Sequence, residues 1–196
     1  MYEYIKGKLI TKKQDHVVID NNGIGFKIFT SLHSMTKMQP DDDVLMHTYL
    51  HVREDIMQIF GFAEEEELFL FNLLISISGI GPKAALSILS VMTPSEVALS
   101  VVSDDAASLS KAPGVGKKTA MRIILELKDK LKGLAISEKP SVNECISKDD
   151  KYDEITNALL VLGYQPKYAQ EALDHVYDMN DTLQNNIRKA LNYLKK

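Results

Sequence analysis

Along the first sixty-odd residues, apolar side chains come in short runs separated by polar turn residues. Tyr4–Ile10 and His16–Asp20 are rich in β-branched or aromatic residues, and Asn21-Asn22-Gly23 follows as a turn signal, because Asn and Gly tolerate positive φ. Gly25–Ser31 reads as another strand. Asp41-Asp42-Asp43 closes a loop after Pro40, and Val44–Val52 and Met57–Phe62 make a further pair. Five short strands in so little chain predict a small closed barrel, OB-like as first choice and SH3-like as second.

The period then changes. Glu64–Ile77 carries Leu68, Phe71, Leu74 and Ile75 at helical spacing, with acids in the first turn, where the helix dipole favours them. Thr93-Pro94-Ser95-Glu96 has the form of a capping box with Pro at the first helical position, and Ser103 is expected to cap a short helix. Residues 135–150 are polar and aperiodic, the pattern of a flexible linker. Three short helices are expected after it. The first ends at Gly163, the second starts near Pro166 and the third near Asp181, with Leu183, Ile187, Leu191 and Leu194 on one face. The fold class is therefore α+β multidomain: a barrel over 1–63, an all-α segment over 64–134, a linker over 135–150 and a three-helix bundle over 151–196.

One repeat stands out within the helical segment. Ser78-Gly79-Ile80-Gly81-Pro82-Lys83-Ala84-Ala85 returns 35 residues later as Pro113-Gly114-Val115-Gly116-Lys117-Lys118-Thr119-Ala120. Two glycines allow a sharp turn and a close backbone approach to a ligand. The apolar residue between them, Ile80 or Val115, can plug the turn into the helix pair. The next helix starts at once, so its unpaired N–H groups and positive dipole end form an anion site. Pro82 gives up only an N–H that has no helical partner. Lys83, Lys117, Lys118 and, one turn on, Arg122 add positive charge. Such a site holds phosphate without reading bases. Nucleotide loops fit less well: no Gly-x-x-x-x-Gly-Lys-Ser/Thr occurs, and neither repeat follows a strand.

The net charge of −4 argues mildly against a nucleic-acid partner, so its distribution matters. Residues 111–132 hold seven Lys or Arg against two acids. A solvated helix face accounts for the same charge, and the repeat is what favours phosphate. Cys145 is the only cysteine, which excludes an intrachain disulfide and a cysteine-based zinc site. No secretory signal fits Met1–Ile10, and no apolar run is long enough to span a bilayer, so a cytoplasmic location is expected. The five histidines lack metal-ligand spacing and read as structural or surface residues, and the eight methionines read as core filler. No catalytic triad, metal site or cofactor motif is found, so the expectation is a non-enzyme without metal or cofactor.

The repeat resembles the helix-hairpin-helix family of DNA-binding proteins. The whole chain is similar to the RuvA family through Met1–Leu9, His51-Val52-Arg53-Glu54-Asp55, Phe60-Gly61-Phe62, Ile77–Ala85, Pro113–Ala120 and Leu159–Tyr164. That resemblance implies an OB-like barrel, tandem hairpins contacting DNA through Gly79, Ile80, Gly81, Lys83, Gly114, Val115, Gly116, Lys117, Lys118 and Arg122, and a UBA-like C-terminal bundle. It implies a homotetramer, or an octamer on DNA, that holds a four-way (Holliday) junction open. It implies an acidic pin at Glu54 and Asp55; read without the family, Glu-Asp in a hairpin loop is a solvated turn. Its implied partners are the RuvB hexameric ATPase, which supplies any ATP use, and the RuvC resolvase. Leu159, Leu162 and Tyr164 match the family pattern for motor binding, while the same residues fit a bundle core equally well; Tyr164 is the one expected outside. Two rivals stand beside this reading. A helix-hairpin-helix glycosylase needs a carboxylate some twenty residues past the hairpin, where this chain has the linker. An adaptor whose hairpins bind protein suits the acidic total.

Overall fold

The computed structural model describes residues 2–136 and 150–194. They form two compact units: the chain up to Thr93 together with Ala112–Gly114, and Pro94–Lys111 together with the chain from Val115 onward.

The first unit opens with the strands β1 (Tyr4–Lys12), β2 (His16–Asn21) and β3 (Ile24–Phe29), then the short helix α1 (Leu32–Thr36), then β4 (Asp43–Val52) and β5 (Met57–Phe62). The sheet closes in the order β1-β2-β3-β5-β4, with β4 returning to β1. Four of the pairings are antiparallel, and β3 meets β5 in parallel at Ile28↔Ile59 and Phe29↔Phe60. This is the OB-like order. Asn22 (φ 52°) and Gly23 (φ 88°) make the two-residue β2–β3 turn, both in the left-handed region as a type I′ turn requires. Alternate residues, among them Leu9, Val17, Ile19, Ile28 and Met46, fill the interior with no exposed surface. Met35 of α1 and Met38 join the same core. At Gly7 in β1, a Cβ would lie 2.1 Å from the Asp20 carbonyl oxygen, so the close approach of β2 demands glycine.

Helix α2 (Glu65–Ile75) differs from the expected face. Glu67, Leu70, Phe71 and Leu74 are buried, whereas Leu68 and Ile75 are half-exposed. The buried carboxylate has a physical reason. The Ser31 hydroxyl, which caps α1 by accepting from the Ser34 N–H at 3.0 Å, donates to Glu67 Oε1. The Ser34 hydroxyl donates to Oε2 at 2.6 Å and accepts from the Ala63 N–H at 2.9 Å. Burial pushes the Glu67 carboxyl above its ordinary range, and the two serine hydroxyls pull it back in part. α1 itself is invisible to the sequence pattern, being only five residues long.

Helix α3 (Pro82–Val91) ends this part of the unit. The second unit begins with α4 (Pro94–Val102), opened by Pro94 as expected, α5 (Ala106–Leu109) and α6 (Lys117–Ile136). The cap of α5 is Asp105, whose carboxylate accepts the Ser108 N–H at 3.0 Å, and not Ser103. Ser103 follows the end of α4 and donates to the Leu99 carbonyl at 2.8 Å. The acceptor belongs next to the helix it caps, and two further residues, with Asp104 at φ 58°, separate Ser103 from it.

The expected linker starts too early, since α6 runs through Ile136; its remainder up to residue 149, Cys145 included, lies outside the described residues. The bundle consists of α7 (Asp150–Val161), α8 (Pro166–Val176) and α9 (Leu183–Leu194). Gly163 (φ 89°) terminates α7 in a Schellman turn, with Tyr164 N–H donating to the Leu159 carbonyl at 3.2 Å and Gly163 N–H to that of Leu160 at 2.9 Å. α9 begins two residues after Asp181, with Thr182 Oγ1 accepting the Asn185 N–H at 3.2 Å.

Candidate nucleic-acid interface

Each repeat forms a turn between two helices with one pattern of exposure. In the first, Ile77 is buried, Ser78 and Gly79 are exposed, Ile80 is 5% exposed, Gly81 is exposed again, and Ala85 is buried. In the second, Ala112 is buried, Pro113 and Gly114 are exposed, Val115 is 4% exposed, Gly116 is exposed, and Ala120 is buried. The apolar plug is thus anchored inside while both flanking peptides face solvent.

The glycines do two different jobs. Gly79 (φ 87°) and Gly114 (φ 83°) sit in the left-handed region that disfavours other residues. Gly81 is extended (φ −91°, ψ 170°), and neither it nor Gly116 is left-handed. A Cβ built on Gly81 or Gly116 meets nothing within 4 Å. Backbone conformation and packing would both accept a side chain there. Glycine at these two positions leaves the peptide bare toward solvent, directly before a helix. The carbonyls of Gly81 and Gly116 accept the first intrahelical bonds, from Ala85 at 3.1 Å and Ala120 at 2.9 Å, while the first-turn N–H groups of α3 and α6 have no intrahelical acceptor. Ser87 Oγ donates to the Pro113 carbonyl at 2.9 Å, tying α3 to the loop that opens the second turn.

Lys83, Lys117 and Lys118 are exposed and make no ion pair among the described residues. Arg122 also faces solvent, with its Nε 3.3 Å from Glu126 one turn on. Lys128 is held by Asp104 at 2.7 Å. Exposed lysines without an ion pair among the described residues therefore stand at the start of α6, beside the bare peptides.

Glu54 and Asp55 occupy the tip of the β4–β5 hairpin, closed by Arg53 N–H donating to the Ile56 carbonyl at 2.8 Å. Both are exposed, and neither makes an ion pair among the described residues. On the hairpin face behind that tip, His51 and Gln58 are cross-strand partners, and Phe60 lies one step further along β5. His51, Gln58 and Phe60 line an open groove together with Gly81, Pro82 and Lys83.

The bundle corrects part of the expected motor-binding set. Leu159 is fully buried and Leu162 is 3% exposed, so both belong to the core, as a domain this small needs. Tyr164, expected outside, is half-buried. Tyr152 donates to Asp174 at 3.0 Å, and burial with this carboxylate pushes its phenol up to about 12. Among the described residues, no group of three or more His, Cys, Asp or Glu is placed to hold a metal ion, and no single helix is long and apolar enough to cross a membrane.

Three family profiles match the chain: the RuvA N terminal domain over residues 1–61, the SAM-like helix-hairpin-helix tandem over 71–129, and the RuvA C-terminal domain over 150–195. Among curated relatives, the Holliday junction branch migration complex subunit RuvA of Acetivibrio thermocellus is 43% identical over 201 residues, covering all of both chains. The proteins of the same name from Clostridium acetobutylicum and Alkaliphilus oremlandii are each 42% identical, covering 99% and 100% of both chains respectively. With barrel order, paired hairpins and end-to-end similarity in agreement, this chain belongs to the RuvA family.

Proposed function

We propose that the protein binds four-way (Holliday) junction DNA by structure and not by sequence, and serves as the junction-holding subunit of a branch-migration complex. The observation that carries this is the bare glycine pair, Gly81 and Gly116: the fold itself would accept side chains there, and a phosphate backbone would not. Gly79, Ile80, Gly81 and Lys83 form one cradle. Gly114, Val115, Gly116, Lys117, Lys118 and Arg122 form the other. Amide hydrogens bind phosphate oxygens, and the lysines displace counterions from the duplex.

Glu54 and Asp55 act as an acidic pin in this reading. Four hairpin tips brought together in a homotetramer put carboxylates where phosphates converge, and like-charge repulsion keeps the centre open. Two tetramers can enclose the DNA as an octamer. The protein is non-catalytic and cytoplasmic; ATP is consumed by the RuvB hexamer, which the C-terminal bundle recruits, and the opened junction is a substrate for RuvC. The working parts are the barrel over 1–63, the hairpin segment from 64 to the end of α6 at Ile136, and the bundle from the start of α7 at Asp150. The burial of Leu159 and Leu162 moves the motor contact to side chains outside the core, with Tyr164 at its edge.

The test is a gel-shift comparison of a four-way junction with linear duplex of equal length across a salt series, with mass determination of the complex. Junction selectivity, a steep negative salt slope and a tetramer or octamer are expected. Equal affinity for both DNAs rejects the proposal.

A further inference from the structure

The β4–β5 hairpin carries more than its acidic tip. Behind the tip, on one face, the side chains of His51 and Gln58 stand opposite each other across the strand pair, and Phe60 forms a floor that is 2% exposed. The turn at Gly81-Pro82-Lys83 makes the facing wall. Between them lies an open groove of about 250 Å³, below the roughly 300 Å³ at which pockets for whole small molecules begin. Its walls are of two kinds. The His51 ring and Pro82 offer flat or apolar surface over the buried Phe60, and the Gln58 amide offers both a donor and an acceptor. Arg53 and Lys83, both exposed and without an ion pair among the described residues, stand at its rim.

The floor is rigid. Phe60 stacks on Phe71 with centroids 5.3 Å apart and planes at 29°, and meets His51 edge-on at 6.4 Å. Tyr49 holds His51 from the other side at 6.2 Å and 30°. A ring entering the groove therefore finds the half-exposed His51 ring already braced by Tyr49 and Phe60, with little ordering cost.

Resting on the reading of Glu54 and Asp55 as a pin, we propose that this groove receives one unpaired nucleobase from the junction centre. Carboxylates that force central base pairs apart leave bases without partners. Each arm then presents an unstacked ring and a phosphate within reach of the same hairpin. The groove matches that pair of chemistries: aromatic and apolar walls with an amide for the base, and two cations at the rim for its phosphate. A free phosphate alone would have no use for the apolar floor.

The experiment uses the full-length protein and two four-way junctions, one intact and one with abasic sites at the four crossover nucleotides, measured beside linear duplex. Base–aromatic stacking predicts that the wild type binds the intact junction at least about five-fold more tightly than the abasic one. Gln58→Ala should narrow that ratio toward one, and His51→Gln, which keeps a polar group of similar reach but removes the aromatic ring, should do the same. Circular dichroism confirms that both variants are folded. 2-Aminopurine at the crossover gives a second readout: its fluorescence should change on binding to the wild type and change less with either variant. If the wild type prefers junction to duplex yet does not distinguish intact from abasic junctions, the base pocket is refuted while the junction reading stands. If the wild type shows no junction preference at all, both fall together.

Discussion

The two hairpins share a backbone and differ in what surrounds it. In Gly79–Ala85 the second glycine is followed by Pro82 and a single lysine, and the turn faces the β4–β5 hairpin across the groove. In Gly114–Ala120 the second glycine is followed by two consecutive lysines, with Arg122 one turn on. One cradle is therefore defined by neighbouring shape and the other by charge. An anion site needs oriented amide donors first, and cations then set how strongly and how salt-dependently it holds. A repeat copied 35 residues apart can keep the donors and vary the rest.

The most severe way to break this comparison is to remove what the hairpins have in common. Gly81→Val with Gly116→Val fills open space, so the thermal midpoint should hold close to wild type. Junction affinity should fall by about a hundred-fold or more, because hydrogen bonds to charged groups are each worth about 1.5–3 kcal/mol. Differential scanning fluorimetry beside gel shift separates the two effects; a variant that unfolds instead shows that these glycines serve packing.

A smaller effect sharpens the difference. Lys117→Ala with Lys118→Ala should flatten the slope of log affinity against log salt by about 1.8, and Lys83→Ala by about 0.9, at roughly 0.9 for each phosphate that the protein no longer neutralises. Fluorescence anisotropy over a salt series measures both. Equal slopes for the two variants would erase the distinction between a charged and a shaped cradle.

The smallest effect lies at the start of α2, the helix that leads into the first hairpin. Glu67 has its folded-state carboxyl raised above its unfolded value, so its burial is best tolerated when protonated. The stability it contributes is fully present below the ordinary glutamate range, and it is lost as pH rises through the raised folded value. Glu67→Gln, neutral at every pH, should therefore gain in urea midpoint relative to wild type at pH 8 and show no such gain at pH 4. Glu67→Ala should lose about 1–3 kcal/mol, since the Ser31 and Ser34 hydroxyls lose their acceptor.

How far the sequence could be read depended on whether the signal was local. Asn22-Gly23 specifies its turn by φ alone, and the Gly-apolar-Gly spacing specifies both hairpins in the same way. Short runs of β-branched and aromatic residues between turn signals place all five strands within about two residues, and the parallel β3–β5 pair that makes the barrel OB-like then follows from closure. What stayed hidden depends on partners far along the chain. A glutamate in an acidic first turn reads as solvated; Glu67 is buried only because Ser31 and Ser34, more than thirty residues earlier, supply its donors. Leu159 and Leu162 satisfied surface and core patterns alike, and packing of the three bundle helices decided for the core. His51 and Gln58 lie in register across a hairpin, a relation that appears only once β4 and β5 are paired.

The anchored plugs at Ile80 and Val115 have a mechanical consequence. Their burial freezes the direction of the amides beside them, so no loop has to reorder each time a phosphate arrives. Under the proposed junction reading, a grip built from peptide N–H groups on identical sugar–phosphate units gives the same hold at every base-pair step. DNA drawn through it travels over level ground, and an external motor has no sequence-dependent hills to climb.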